Sequence, residues 1–318
     1  MSRWLSVLMP VYNGARYLEA ALASIVAQGE PNLEVIAVDD ASQDDSVAIL
    51  ESYADRLELR VVQQPHQGNW VASTNHALSL ARGEFVSFLH QDDVWERGRL
   101  SRLRSLANDY PAAGMLFHPA YYLDARGGRL GLWTSPLIAG EHPPGLLVEP
   151  LLVQNFIAIP TPIVRREVAE RVGGLDERLW YTADWDFWMK VAEIAPVVYE
   201  PTPLAGFRIH AESQTVRRSS QGDEFREQLL AAYEPHAARW LAAHPNARAH
   251  DRVGRFSMEV NVALARLAHG VPARLGRLGW QFARLGPAGW WRYYHDSRIL
   301  QRVRARLKLK TEHRAATP

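Results

Sequence analysis

The 318-residue chain contains no cysteine. That excludes disulfides, thiolate zinc sites, iron–sulfur clusters and a cysteine nucleophile. No window of about 18 consecutive apolar residues occurs, so no helix is expected to cross a membrane. The longest uncharged apolar stretch, Pro150 to Val164, is interrupted by three prolines and Asn155. A signal-peptide pattern is missing as well: Trp4 to Met9 is apolar, but Pro10 ends the run and no small-residue cleavage site follows. The expected location is cytoplasmic, at most peripheral on the inner face of the cell membrane. There is no Gly-x-x-x-x-Gly-Lys-Ser/Thr loop and no Gly-x-Gly-x-x-Gly after the first apolar run. A P-loop nucleotidase and a dinucleotide-type Rossmann site are therefore disfavoured.

What is present is ordinary globular composition, with 47% hydrophobic and 22% charged residues, which excludes wholesale disorder. The net charge of +1 hides an asymmetry. Residues 1–220 hold 19 Lys+Arg against 27 Asp+Glu, and residues 221–318 hold 17 against 8. A split of this size points to two regions with different partners.

The first hundred residues alternate in type. Leu5–Met9, Leu33–Val38, Leu57–Val62 and Phe85–Leu89 are short apolar runs of strand length. Between them, Tyr17–Val26, Ser46–Tyr53 and Val71–Ala81 carry apolar residues at helical spacing. This alternation predicts an α/β fold with a doubly wound, mostly parallel sheet. Further on, the pattern predicts a strand at Met115–Phe117 and a hairpin around Gly127-Gly128. Glu141–Pro150 reads as loop, Val164–Val172 and Trp185–Ile194 as helices, and Val197–Tyr199 as a strand. From about Ser219 the chain reads as helical.

Ligands of such sheets bind beyond the carboxyl ends of the strands. Two of these strands end there in paired aspartates, Asp39-Asp40 and Asp92-Asp93. One such pair is readily a turn or helix cap. Four carboxylates along one crevice repel one another unless a cation sits among them. Hard oxygen ligands favour Mg²⁺ or Mn²⁺, shared with the phosphate oxygens of a substrate. The crevice is thus expected to take a nucleotide diphosphate bridged by a metal.

These segments resemble a known family. Leu5-Ser6-Val7-Leu8-Met9-Pro10-Val11-Tyr12-Asn13-Gly14 is similar to the opening strand of family 2 glycosyltransferases of GT-A fold. Val38-Asp39-Asp40-Ala41-Ser42-Gln43-Asp44 resembles their second-strand motif, and Ala81 to Asp93 their Asp-x-Asp strand. Gly173-Gly174-Leu175-Asp176-Glu177 and Ala183-Asp184-Trp185-Asp186-Phe187-Trp188 look like the acceptor-side motif, and Arg208-Ile209-His210 like the closing motif. The resemblance covers residues 4 to about 215. It implies a nucleotide-sugar half at 1–105 and an acceptor half at 106–218, while the basic region 219–318, read as helical from its composition, lies outside it.

It also implies roles. Pro10, Tyr12 and Asp40 would line the nucleobase pocket with Asp39 in support, and Asp92 would face ribose and diphosphate. Asp93 and His210 would serve the metal, Mn²⁺ or Mg²⁺. Asp184 would be the catalytic base, with Asp186 as the competing candidate. Trp180, Tyr181 and Trp185 would form the acceptor wall, although Trp185 and Trp188 at helical spacing are equally at home in a core. The chain departs from the pattern at His90 and Ala183, where the family often has carboxylates, and at Thr74-Asn75, where it often has Arg before the Asn.

The expected activity is an inverting hexosyltransferase. It would move a sugar from a nucleotide-diphospho-sugar donor to a glycan or lipid-linked glycan acceptor in cell-surface polysaccharide or glycolipid biosynthesis. A sugar nucleotidyltransferase is a second enzyme reading, but Asn13-Gly14-Ala15-Arg16 is a poor version of its loop. A catalytically inactive nucleotide-sugar or glycan-binding module in a membrane assembly is the non-enzyme alternative. Residues 274–310 mix arginines and lysines with Trp280, Phe282, Trp290, Trp291, Tyr293 and Tyr294. That mixture suits an anionic membrane surface or a solvated helical face. No recognition motif accompanies the charge, so nucleic acid is not expected as a partner.

Overall fold

The computed structural model describes residues 3–210, 222–273 and 275–304. Of the basic stretch 274–310, Arg274 and residues 305–310 lie outside the described residues.

The first half builds as its alternation predicts. Strands β1 (Leu5–Val11), β2 (Leu33–Asp39), β3 (Leu59–Gln63) and β4 (Phe85–Phe88) are connected through helices α1 (Ala15–Val26), α2 (Ser46–Glu51) and α3 (Trp70–Leu80). They lie in the order β3-β2-β1-β4, all parallel. Strands β1 and β2 are buried along their whole length because both faces are covered, and they therefore read as unbroken apolar runs. Successive side chains still part by face. Val7, Met9, Val35 and Ala37 join one core cluster, and Leu8, Ile36, Val38 and Val86 the other.

The sheet continues through β10 (Ile163–Arg165), β6 (Met115–Phe117), β11 (Val197–Tyr199) and β9 (Gly140–His142). Strand β10 runs antiparallel to β4 and β6, and β9 antiparallel to β11. Two expectations change here. The segment 164–172 is not one helix: Ile163 and Val164 form the strand between β4 and β6, and only α6 (Arg166–Arg171) is helical. A short apolar run does not distinguish strand from helix, and β-branched residues buried between two strands favour the sheet. The segment 141–150, read as loop, contributes to β9 and opens α5 (Val148–Val153).

A second, four-stranded sheet has the order β5-β12-β7-β8, with β5 (Val94–Trp95), β12 (Ala205–Arg208), β7 (Ala120–Leu123) and β8 (Arg129–Trp133). The β7–β8 hairpin turns at Gly127-Gly128, as the sequence predicts. The pairing of β12 with β5 is the link that matters for function, because it carries residues 208–210 to the end of the Asp92-Asp93 segment.

Helix α4 (Arg99–Asp109) packs on the outer face of the main sheet, and α7 (Ala183–Ile194) carries the acceptor-side motif. The C-terminal helices are α8 (Gly222–Ala243), α9 (Arg248–Ala268) and α10 (Leu275–Ser297). Phe225, Leu229, Tyr233, Trp240 and Met258 belong to the same core cluster as Leu8 and Phe88. The first two C-terminal helices therefore share a core with the sheet. None of the described helices is long and apolar enough to cross a membrane.

Candidate active site

The crevice is assembled from loops at the carboxyl ends of β1, β2 and β4. The first two loops are stitched together. Asn13 Oδ1 accepts the Gln43 N–H at 2.7 Å, and the Gly14 and Ala15 N–H groups donate to Ser46 Oγ and Asp44 Oδ2 at 2.8 and 3.0 Å. Gln91 fastens the β4 loop to Tyr12, accepting its N–H at 2.8 Å and donating to its carbonyl at 3.0 Å. A side chain at Gly14 would run into Gln91, since its Cβ would lie 2.3 Å from Oε1. The residue type there is dictated by close approach.

Tyr12 is 40% exposed and stacks on His66 with ring centroids 4.5 Å apart. The buried Pro10 precedes it on β1. Asp39 is buried and holds the turn after β2 by accepting the Ser42 N–H and hydroxyl. Asp40 is 4% exposed, and its oxygens accept the Gln67 and Gly68 N–H groups at 2.8 Å and Gln64 Nε2 at 3.1 Å. These donors occupy most of the carboxylate's acceptor capacity. Asp40 thereby fixes the 64–68 loop that carries His66. The sequence offered no signal for His66.

At the end of β4 the two aspartates separate. Asp92 is partly exposed and its Oδ2 lies 2.9 Å from His210 Nε2. Asp93, expected as the metal ligand, is 1% exposed, and its Oδ1 accepts the Arg208 N–H at 2.9 Å. Burial, and then the neighbouring Asp92 charge, push its carboxyl well above the usual carboxylate range. One oxygen of Asp93 thus anchors β12 while its Oδ2 is buried without a hydrogen-bond partner, and Asp92 is the more exposed of the two. Arg208 completes the joint, donating from Nε to the Asp92 carbonyl at 2.8 Å and lying over the Tyr17 ring. His90 sits edge-on to Trp70, and burial holds its imidazole below the usual range. Among the described residues no group of three or more His, Asp or Glu is arranged to hold a metal. The pair Asp92–His210 still suits a hard cation that takes its remaining ligands from phosphate and water.

Asp184 stands in the first turn of α7. Its Oδ2 accepts Asn155 Nδ2 at 3.0 Å and its Oδ1 faces the Trp185 N–H at 2.7 Å. Burial raises its carboxyl from 3.8 to about 6, against the lowering effect of these two donors. Asn155 is a site residue the sequence did not announce. Asp186 is in a different position. It is clamped by His236 Nε2 at 2.8 Å and Lys190 Nζ at 2.8 Å, and these partners hold its carboxyl below the usual range despite burial. A carboxylate paired with two cationic partners is a poor proton acceptor.

The aromatic cluster also divides. Trp185 is 4% exposed, donates from Nε1 to the Leu151 carbonyl at 2.8 Å and packs toward Tyr233. It is a core residue, which corrects its expected acceptor-wall placement. Trp188 is fully buried, in keeping with the core alternative. Trp180 and Tyr181 remain partly exposed before the helix; Trp180 Nε1 donates to Glu224 at 2.9 Å, and Tyr181 packs edge-on to Phe225. Asn75 ties this side to α3: its Oδ1 accepts the Leu175 N–H at 3.0 Å and its Nδ2 donates to the Leu175 carbonyl at 2.9 Å. Gly174, at φ +68°, allows that approach, since a Cβ there would lie 2.8 Å from Asn75 Oδ1.

Comparison with known proteins decides the class. The description "Glycosyl transferase family 2" matches residues 6–158. An uncharacterized protein of Mycobacterium tuberculosis is 30% identical over 225 residues, covering 67% of this chain and 69% of that one.

The chain belongs to glycosyl transferase family 2.

An uncharacterized glycosyltransferase of Rickettsia prowazekii is 26% identical over 223 residues, covering 70% of this transferase and 69% of the relative. Some rickettsial relatives are longer, and the chain spans only 36% of the one from Rickettsia felis. Among solved structures, S. aureus TarS 1–349 in complex with UDP-GlcNAc matches with a TM-score of 0.61 at 20% identity, over 98% of this chain and 92% of that one. The mannosyltransferase PcManGT from Pyrobaculum calidifontis, in complex with GDP-Man and Mn²⁺, matches with a TM-score of 0.56 at 19% identity, over 96% and 86% of the two chains. The transferase therefore has the GT-A-type α/β fold, with a helical C-terminal region.

Proposed function

We propose that this transferase moves a sugar from a nucleotide-diphospho-sugar to an acceptor hydroxyl with inversion at the anomeric carbon. The observation that carries the reading is the half-buried Asp184, raised to about 6 and held by Asn155 in the first turn of α7. A base near the operating pH is what proton abstraction from a hydroxyl requires.

The Tyr12–His66 stack beside Pro10 receives the nucleobase. Asp92 and His210 would hold Mn²⁺ or Mg²⁺ together with diphosphate oxygens. Such a cation would offset negative charge gathering on the leaving diphosphate. The PcManGT complex, with GDP-Man and Mn²⁺, supports this pairing of donor and metal. Asp184 accepts the proton of the acceptor hydroxyl. The hydroxyl oxygen forms its bond to the anomeric carbon from the face opposite the diphosphate, and the electron pair of the breaking carbon–oxygen bond leaves with the diphosphate. A single base and a single displacement invert the centre. Trp180 and Tyr181 flank the acceptor.

The acceptor is read as a glycan or lipid-linked glycan of the cell surface. An O-antigen biosynthesis protein of Myxococcus xanthus, 28% identical over 222 residues and spanned by this chain over 16% of its length, supports that context. The basic, aromatic C-terminal helix supports a peripheral position on an anionic membrane. The test is release of UDP or GDP from sugar nucleotides, with and without Mn²⁺, by the wild type and Asp184→Asn. Metal-stimulated release that falls in the variant supports the reading. Binding of sugar nucleotides without any turnover would favour the inactive-module alternative.

A further inference from the structure

Away from the crevice, α8, α9 and α10 enclose a groove of about 340 Å³. Arg277, Trp280, Gln281, Arg284 and Leu285 line it from α10, at the spacing of one helical face. The left-handed Gly286, at φ +68°, ends that face by breaking the helix. Leu230 and Phe256 supply apolar lining from α8 and α9.

The charges around this groove are unbalanced. Arg226 is paired with Glu259 at 2.7 Å, and Arg255 with Glu234 and Asp251 at 2.6 and 2.9 Å. Arg252, Arg277 and Arg284 line the same groove with no carboxylate partner among the described residues. Arg284 lies over the Trp280 ring, 4.5 Å from its centroid. Trp280 is itself 60% exposed, and Leu275, Trp291 and Tyr294 on α10 are exposed too. Three unneutralised guanidinium groups call for an anion, and phosphate matches their fork of donors. The exposed Trp280 indole set among these guanidinium groups adds little to binding a free anion in water. It is favourable where water gives way to lipid.

We propose that this groove binds the phosphate headgroup of an anionic membrane phospholipid, with Trp280 entering the headgroup–acyl boundary. The groove begins on the same turn of α8 whose Glu224 and Phe225 touch Trp180 and Tyr181. A bilayer docked there lies beside the acceptor wall, where a lipid-linked acceptor would arrive. This last consequence rests on the transferase reading; the lipid site itself does not.

The experiment is co-sedimentation of the full chain with vesicles of phosphatidylcholine, alone or mixed with phosphatidylglycerol, across a salt series. The wild type should bind only the mixed vesicles, tightly at low salt and weakly at high salt. Arg252→Gln, Arg277→Gln and Arg284→Gln together should lower the partition coefficient on the order of 100-fold, about fivefold per arginine near the surface. Arg60→Gln, Arg97→Gln and Arg126→Gln together remove the same charge from exposed sites elsewhere and should have little effect. Equal weakening by both triples would overturn the site in favour of diffuse charge. Indifference of the wild type to phosphatidylglycerol at low salt would overturn it outright, as would full displacement by inorganic phosphate at the lipid phosphate concentration. Should the groove triple melt prematurely, quenching of the wild type by brominated acyl chains decides instead: it must be largely lost in Trp280→Phe. Nucleotide release without vesicles, measured on the same preparations, reports on the transferase reading separately.

Discussion

Asp184→Asn should impair catalysis and stabilise the fold at the same time. Raising a carboxyl from 3.8 to about 6 means that ionising it costs about 3 kcal/mol more in the folded chain than in the unfolded one. The sign follows from which form burial disfavours. Below about pH 4 the group is protonated in both states and the penalty is absent. As pH rises through 6 the folded chain must carry the charge, and the full penalty is present at pH 8. An asparagine at this position carries no charge at any pH. It can still accept the Asn155 hydrogen bond, but its amide faces the Trp185 N–H less well, a loss of about 1 kcal/mol. The net gain at pH 8 is about 2 kcal/mol, or roughly 4 °C in melting temperature for a chain of this size. Thermal melts of both proteins from pH 4 to 8 should therefore diverge with rising pH, the variant melting higher. Turnover should drop by roughly 10²–10⁴ while nucleotide binding survives. In the wild type, turnover should rise as pH passes through about 6. A variant that melts lower than the wild type at pH 8, or a gap that does not change with pH, would refute the assignment of a burial-strained base.

Further outcomes separate the neighbouring residues. Asp92→Ala should abolish the Mn²⁺-dependent part of UDP or GDP binding in calorimetry with little change in melting. Asp93→Ala should instead cost about 1–3 kcal/mol of stability, because the buried Arg208 N–H loses its acceptor; the opposite pattern would return the metal role to Asp93. Asp186→Ala should destabilise by about 3–5 kcal/mol near pH 6, since it strips a buried carboxylate from His236. That loss should shrink on both sides: as pH falls, because the lowered Asp186 is protonated, and as pH rises through the raised value of His236, because the imidazole loses its charge. Urea titrations at pH 3, 6 and 9 would show it. Trp185→Ala should cost about 3–5 kcal/mol of stability, whereas Trp180→Ala should raise KM for the acceptor with a small effect on melting.

The sequence alone carried the parallel half of the fold, because buried strands flanked on both sides must be continuously apolar and their connecting helices must be amphipathic. It also carried the order of motifs that marks the family. The pairing in space it could not carry. Asp92 and Asp93 are chemically identical neighbours, and only the antiparallel pairing of residues 205–206 with 94–95 decides which one anchors Arg208 and which one meets His210. Asp184 and Asp186 are alike in sequence too. What separates them is Asn155 on one side and His236, fifty residues away on α8, on the other. Trp185 turned inward because the C-terminal helices supply Tyr233 to pack against it, and a helical tryptophan is apolar enough for either face. In each case the residue type was compatible with two environments, and long-range packing, which no local pattern encodes, selected one.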